Sequence, residues 1–202
     1  MAFVTIKQGT LLSPAPAVMV SCATETQRPN IITIAWAGTV NSSPPMVSIS
    51  VRSNRFSHHI IKESGEFVIN LVSRELVKAT DFCGVKSGKE IDKFDACQLT
   101  PLKLDSMQHA PAIQEAPFYL ACKVEQTIEL PSHTMFIAQV VENGVREDLM
   151  EKDGRIAMER ADLTAYCHGE YYGLDKRLGF FGFSVARPEV LARRMGKQSN
   201  KK

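Results

Sequence analysis

Short apolar segments separated by turn residues constrain the fold of this 202-residue chain more than any other feature. Segments of strand length lie at residues 17–24, 31–38, 46–52, 66–72, 99–105, 118–130, 133–142 and 163–167. Residues 46–52 alternate apolar and small polar side chains, as is typical of a half-buried strand. Pro131 and Ser132 separate the two longest segments, which predicts a hairpin.

Two short helices are predicted among these strands. Ser57 is expected to cap the first helix, and Gly65 lies just past its end. Ser73 is expected to open the second helix, and Gly84 to close it. Because strands and helices do not alternate regularly, a doubly wound parallel sheet is disfavoured. The pattern predicts a mainly β protein with a few helices, built as a barrel or a sandwich.

The chain reads as one domain over residues 1–186 followed by a basic tail over residues 187–202. This tail holds six Lys or Arg residues and one acidic residue, whereas the whole chain has a net charge of +2. Short charged termini are usually solvated, so we expect the tail to be partly disordered and not a nucleic-acid-binding element.

The cysteines and the N-terminus indicate a cytoplasmic location. Five widely spaced cysteines without a CxxC motif fit free thiols better than a disulfide framework. The first residues have no basic segment leading into an apolar one, so no signal peptide is predicted. No apolar run approaches the roughly 18 residues that span a bilayer, so no membrane association is expected.

Several common catalytic patterns are absent from the sequence. There is no GxGxxG and no GxSxG, which excludes the usual Rossmann and nucleophile-elbow signals. Residues 84–90 resemble a P-loop, but Glu90 replaces the Ser or Thr that would bind magnesium. The adjacent His58 and His59 point apart and cannot chelate one metal. We therefore predict no catalytic side chain and no metal site.

The segment around the first predicted helix has the chemistry of a phosphate site. Arg52 and Arg55 stand immediately before Ser57, where free backbone N–H groups and the helix dipole favour an anion. Arginine adds charge-assisted hydrogen bonds to phosphate. The structural alternative is that both arginines are ordinary surface charges.

The preceding strand can present a platform to a planar ring. Asn30, Thr33 and Trp36 place an amide, a hydroxyl and the only tryptophan on one segment. Main-chain groups of such a strand can bond a ring edge, with an aromatic wall nearby. The structural alternatives are a turn-capping role for Asn30 and a core position for Trp36. A ring platform beside a phosphate anchor suits a mononucleotide cofactor.

Three motifs together resemble the flavin-reductase-like family of FMN-binding split barrels, and within it the flavoredoxin branch. They are N-x-x-T-x-A-W at residues 30–36, S-x-P-P at residues 42–45 and S-G-E-F-V-I-N-L at residues 64–71. The likeness extends over about residues 10–185. The resemblance implies an antiparallel split β-barrel, bound FMN, and a homodimer with FMN near the subunit interface.

The resemblance also extends the predicted cofactor site beyond these motifs. Ser57 matches a hydroxyl position of the phosphate segment, Lys93 a basic position after the second helix, and Tyr166 an aromatic position near the last strand. His133 matches a polar position at the hairpin. The predicted FMN-binding residues are Asn30, Thr33, Ala35, Trp36, Arg52, Arg55, Ser57, Lys93, His133 and Tyr166. Residues 176–189 match no motif of the family and receive no role.

The implied function is electron transfer through bound FMN, in which the flavin carries the chemistry and no protein nucleophile is needed. NADH or NADPH could reduce the flavin, as in a reductase. A redox partner protein could instead supply and receive electrons, as in a carrier. Two alternatives stay open: a non-redox split-barrel module that binds pyridoxal phosphate or haem, and a structural protein without a ligand.

Overall fold

The computed structural model describes residues 1–195 of the chain. Its strands are β1 (Ala15–Pro16), β2 (Val18–Cys22), β3 (Asn30–Ile34), β4 (Ala37–Ser42), β5 (Pro45–Val51), β6 (Glu66–Leu71), β7 (Pro101–Leu102), β8 (Ala112–Ile113), β9 (Phe118–Glu129), β10 (Thr134–Val145), β11 (Thr164–Cys167) and β12 (Glu170–Gly173). Its α-helices are α1 (Phe56–Ser64), α2 (Val77–Val85), α3 (Lys93–Ala96) and α4 (Pro188–Met195). Single 3-10 turns lie at Arg74–Leu76, Glu147–Leu149, Met158–Arg160 and Phe183–Val185.

A seven-stranded antiparallel sheet forms the body of the molecule, in the order β3-β2-β6-β9-β10-β5-β4. Its two edge strands, β3 and β4, follow one another in the chain with only Ala35 and Trp36 between them. Such a short connection requires the two edges to approach, so the sheet curls into a barrel that stays split between them. The carbonyl of Trp36 accepts from the Ser50 N–H at 2.9 Å, which ties this connection to β5. The predicted antiparallel split β-barrel is confirmed.

The inner face of the curled sheet encloses the main core. Alternate residues of β5 point inward, as the period of two requires. Ile60 and Ile61 of α1 cover this core. The other large buried side chains in it include Val18, Val20, Ile32, Ile34, Val47, Ile49, Val51, Phe67, Ile69, Phe136 and Val140.

A second core lies on the outer face of β2 and β3. Met19 and Ile31 point away from the barrel interior and pack against Leu76, Cys83 and Phe94, which belong to the region of α2 and α3. Every residue of β2 is therefore buried, although the strand alternates its side chains between two faces. This packing holds the two helices against the strand that carries the predicted cofactor motif.

Two buried polar side chains attach the segment of residues 103–113 to the sheet. The Glu66 carboxylate accepts the backbone N–H groups of Gln108, His109 and Ala110 at 3.0, 2.5 and 2.7 Å. The Asn70 side chain accepts from the Ile113 N–H at 2.8 Å. A buried carboxylate requires such partners, because its desolvation is otherwise unfavourable.

Most predicted elements are confirmed in type, and the errors concern their ends. The hairpin of β9 and β10 is present, and Gly65 ends α1 with the left-handed φ of 68° that favours glycine. The prediction of a single strand at residues 31–38 was wrong, because these residues divide into β3 and β4 at Ala35 and Trp36. β4 therefore occupies residues that were predicted as a loop.

The predicted helix ends need three corrections. Arg55, not Ser57, is the residue before α1, because Ser57 is drawn into the interior by a hydrogen bond from Asn30. Ser73 precedes a 3-10 turn before α2 begins, and Gly84 lies inside α2 and not after it. The short strand predicted at residues 99–105 is confined to Pro101–Leu102.

The described part of the predicted basic tail, residues 187–195, contains a helix. α4 occupies Pro188–Met195, and the Arg194 guanidinium lies 3.9 Å from the centre of the Phe180 ring. The rest of this tail, residues 196–202, lies outside the described residues. Across residues 1–195, none of the helices combines the length and the apolar character needed to cross a bilayer.

Removing one inward side chain should destabilise the barrel. Ile49 is 0% exposed in the core, so Ile49→Ala should lower the free energy of unfolding by about 2–5 kcal/mol through lost contacts and a cavity. The matched change Ile128→Ala removes the same atoms at a site that is 42% exposed and should cost clearly less. Urea unfolding of both variants measures the difference, and equal losses would contradict this assignment of the core.

Candidate functional site

Two adjoining compartments open where the barrel edges meet α1 and α2. The larger is a cleft of about 580 Å³, and the smaller has a volume of about 190 Å³. Ile32, Arg55 and Gly84 line both compartments, so the two adjoin one another. An elongated ligand with chemically different ends could occupy both.

The turn between β3 and β4 forms one wall of the large cleft. Thr33, Ala35 and Trp36 line it, and the Trp36 side chain is 45% exposed although it is the only tryptophan of the chain. The Thr33 hydroxyl donates to the carbonyl of Thr80 in α2, which fixes the wall against that helix. An exposed aromatic face beside main-chain polar groups is suited to a planar ring.

Part of the lining of the large cleft is cationic. Arg52 and Arg55 contribute to it, and within residues 1–195 neither guanidinium forms an ion pair with a carboxylate. Burial and the nearby Arg52 charge lower the pKa of His133, which lines the same cleft. His133 is therefore neutral at pH 7 and offers a hydrogen bond, while the arginines supply the charge.

Another part of the lining of the large cleft is aromatic and acidic. The Tyr166 and Tyr171 rings meet edge to face with centroids 5.4 Å apart. The Tyr171 hydroxyl lies 3.5 Å from Asp81 Oδ1. Burial, helped by the Asp81 charge, raises the pKa of Tyr171 to about 12, so this phenol remains a neutral donor. The cleft thus offers both cationic and acidic groups to a ligand.

The small compartment is lined by buried polar groups. Asn30 Nδ2 donates to Ser57 Oγ at 2.7 Å, and both residues are almost fully buried. Lys93 is only 3% exposed, and its Nζ donates to the carbonyls of Ile31 and Cys83 at 2.7 Å each. An ammonium has three N–H donors, of which these carbonyls use two.

The charge of this compartment favours an anion. Burial lowers the pKa of Lys93, because desolvation disfavours the charged ammonium. A negative group bound in the compartment would stabilise that ammonium. Arg55 and Lys86 add two further cations, and no Asp or Glu is among the lining residues. The start of α1 also faces this region through Asn54, Arg55 and Phe56. The donor set fits a phosphate group.

Every residue predicted for the cofactor site lines one of the two compartments. Asn30, Ser57 and Lys93 line the small compartment, and Arg55 lines both. The remaining predicted residues line the large cleft: Thr33, Ala35, Trp36, Arg52, His133 and Tyr166. The structure brings these positions together at adjoining compartments.

Several lining residues were missed by sequence reasoning. The segment that was rejected as a P-loop supplies Gly84 and Val85 to the large cleft and Lys86, Ser87 and Gly88 to the small compartment. It follows a helix and is no Walker motif, yet its glycines were a usable signal of close packing. Asp81 and Tyr171 gave no local signal, because only the tertiary fold places them at the cleft.

Gly88 is in tight contact with the predicted motif. A Cβ atom at this position would lie 2.6 Å from Asn30 Cγ and 2.7 Å from Phe56 Cδ1. Only glycine lets the backbone of residues 86–88 approach the buried amide so closely.

Within residues 1–195 no group of three or more His, Cys, Asp or Glu side chains could hold a metal ion.

Comparisons with known proteins agree with this geometry. Residues 11–175 match the family model described as "Flavin reductase like domain". The solved structure of flavoredoxin from Desulfovibrio vulgaris superposes with a TM-score of 0.83 and 31% sequence identity. That alignment covers 89% of this chain and 97% of the flavoredoxin chain.

Two relatives extend the comparison. An uncharacterised protein of Archaeoglobus fulgidus is 30% identical over 115 residues, which cover 57% of this chain and 64% of the relative, less than two thirds of its length. The reductase component of a 4-nitrophenol 4-monooxygenase/4-nitrocatechol 2-monooxygenase from Rhodococcus opacus is 27% identical over 110 residues. Those residues cover 54% of this chain and 55% of that component.

Adding a methyl group to Gly88 should disturb the small compartment. Gly88→Ala forces Asn30 or Phe56 to move, and such overpacking should lower the free energy of unfolding by about 1–3 kcal/mol. Gly38→Ala is the matched control, because its Cβ would meet nothing within 4 Å, and it should change stability by about 0.5 kcal/mol or less. Denaturant unfolding measures both; an unaffected Gly88→Ala protein would contradict the described contact.

Proposed function

The chain belongs to the flavin reductase like family, and from this premise we propose that it binds FMN across the two compartments and transfers electrons through it. The observation that carries the proposal is that a cationic compartment adjoins an aromatic cleft and shares three lining residues with it. Bound FMN supplies the redox chemistry, and the protein supplies binding, orientation and electrostatics.

The small compartment would hold the phosphate. A phosphate monoester carries about two negative charges near neutral pH, which Arg55, Lys86 and Lys93 would balance. Ser57, held in place by Asn30, adds a hydroxyl to the same compartment. This match to a terminal dianion supports FMN over FAD, whose phosphates are each bonded on both sides.

The large cleft would hold the flavin ring. The exposed face of Trp36 offers an aromatic wall, and the main chain near Thr33 and Ala35 offers polar groups to a ring edge. Arg52 places a positive charge in this cleft, where negative charge on the reduced ring would be stabilised. Tyr166 adds a second aromatic side chain to the lining.

A reductase that takes electrons from NADH or NADPH is the form of the proposal that we favour over a carrier. The Rhodococcus relative is named as a reductase component, which supports an oxygenase or another redox protein as the recipient of electrons. The cleft of about 580 Å³ is open to solvent and lies within the common size range of ligand pockets. Membership of the flavin family also favours this interpretation over a pyridoxal phosphate or haem module.

We further propose that the chain acts as a homodimer. Leu174, Leu178, Phe181 and Phe183, all beyond β12, are exposed. Exposed large apolar side chains close together in the chain support a surface that a partner covers. The cytoplasmic location remains a prediction from the sequence.

Removing the Arg55 guanidinium should weaken the retention of FMN. Arg55 lines both compartments and has no carboxylate partner within residues 1–195. A charge-assisted hydrogen bond contributes about 1.5–3 kcal/mol, so Arg55→Ala should raise the Kd for FMN by about 10- to 150-fold. Quenching of flavin fluorescence on binding measures this constant.

Arg187→Ala is the control for that measurement. It removes the same charge from an exposed position that lines neither compartment, and it should leave the Kd for FMN unaltered. Equal retention of FMN by the Arg55→Ala protein would exclude the small compartment as the phosphate site.

An anaerobic titration separates reductase from carrier. The FMN-loaded protein is mixed with NADH or NADPH without oxygen, and the flavin absorbance is followed in the visible range. A reductase should be bleached by one equivalent of at least one donor per flavin, because a hydride delivers two electrons. Bleaching by dithionite but by neither nicotinamide would instead establish the carrier role.

A further inference from the structure

Two cysteines are in contact beside the small compartment. Cys83 of α2 is fully buried and lines that compartment, whereas Cys97 directly follows α3 and is half-buried. Their Sγ atoms lie 4.0 Å apart although the residues are 14 positions apart in the chain. A disulfide requires an S–S distance of about 2.05 Å, so an approach of about 2 Å, shared by two side chains, would form one.

We propose that Cys83 and Cys97 form a reversible disulfide that fixes one wall of the small compartment and slows release of the bound flavin. The effect on the flavin rests on the proposed function. The formation of the disulfide rests only on the contact between the two thiols.

The segment between these cysteines builds the compartment. Lys86, Ser87 and Gly88 line it, and Lys93 donates to the carbonyl of Cys83 itself. On its solvent side the segment is held by Arg28, which pairs with Asp92 at 3.2 Å and donates to the Gly88 carbonyl at 3.4 Å. Exposed contacts of this kind are weak. A disulfide between Cys83 and Cys97 would join the two ends of this segment and reduce the number of conformations available to it.

The oxidation balances with a small-molecule disulfide as oxidant. The Cys97 thiolate attacks one sulfur of oxidised glutathione, forms a mixed disulfide and releases one glutathione thiolate. The Cys83 thiolate then attacks Cys97 Sγ and displaces the second glutathione thiolate. Two protein thiols lose their protons and two electrons in total, and one glutathione disulfide becomes two thiols.

The order of attack follows from exposure and from pKa. Cys97 is the more accessible thiol, whereas Cys83 has no exposed surface. Burial raises the pKa of Cys83 to about 12 and also raises that of Cys97, while the facing Lys93 ammonium acts in the opposite direction on both. Thiolates are therefore scarce near neutral pH, and the oxidation should accelerate as the pH rises.

Oxidation of the FMN-loaded full chain tests the proposal. The protein is incubated with oxidised glutathione, digested without reductant and mapped by mass spectrometry, and flavin dissociation is timed before and after. We expect a peptide that links Cys83 to Cys97, and a flavin dissociation rate about threefold or more slower, because the cross-link restricts the open wall. Dithiothreitol should reverse both changes.

Single variants identify the attacking and the resolving thiol. Cys83→Ser should leave glutathione attached to Cys97, because no second thiol can displace it, and Cys97→Ser should yield no cross-link. Cys167→Ser is the matched control, since this half-buried thiol lies on β11 away from the pair, and it should leave the cross-link unchanged. Peptide mapping of the unmodified chain needs no variant, so misfolding of a variant does not prevent the test.

Two results would overturn the inference. One is glutathione on Cys97 of the unmodified chain without any link to Cys83. The other is a complete cross-link with an unaltered rate of flavin dissociation. The flavin content measured before oxidation tests the proposed function separately: a protein that binds no FMN but still forms the cross-link would contradict the flavin site and support the disulfide.

Discussion

The closing turn at Ala35 and Trp36 is the constraint on which the rest of the structure depends. Two residues join strands at opposite edges of a seven-stranded sheet, so the sheet must curl until those edges meet. The curl encloses the main core on one side. The turn itself, together with β3 and the end of β5, lines the large cleft. The connection that closes the barrel therefore also places the Trp36 ring in the wall of the candidate site.

Buried polar contacts then attach the surrounding segments to this barrel. Lys93 reaches back from α3 to carbonyls of β3 and α2, and Glu66 collects three backbone N–H groups from the segment beside β6. A third set runs from His58 Nε2 to the Thr134 hydroxyl at 2.8 Å and from that hydroxyl to Glu129 at 2.7 Å. Because unpaired buried polar groups are costly, each contact fixes the position of a whole segment. Lys93 is the one that also contributes to the candidate site.

Prediction from the sequence succeeded where a pattern is local. The long hairpin of β9 and β10 and the left-handed Gly65 follow from neighbouring residues, so periodicity and turn chemistry identified them. Element ends were less accurate, since Ser57 was expected to cap a helix but is held in the interior by Asn30. A residue 27 positions away in the chain decided that outcome, and local reasoning has no access to it.

By itself, the sequence determined the strand-rich character of the protein, its resemblance to a flavin-binding family and the residues expected to hold the cofactor. These features follow from alternating hydrophobicity and from motif order, which are properties of neighbouring positions. Only the tertiary structure decided that those residues divide between two compartments, that Asp81 and Tyr171 complete one of them, and that Cys83 meets Cys97. The physical reason is that contacts between distant segments depend on how the sheet curls and how the helices pack, and neither is encoded within a short stretch of chain.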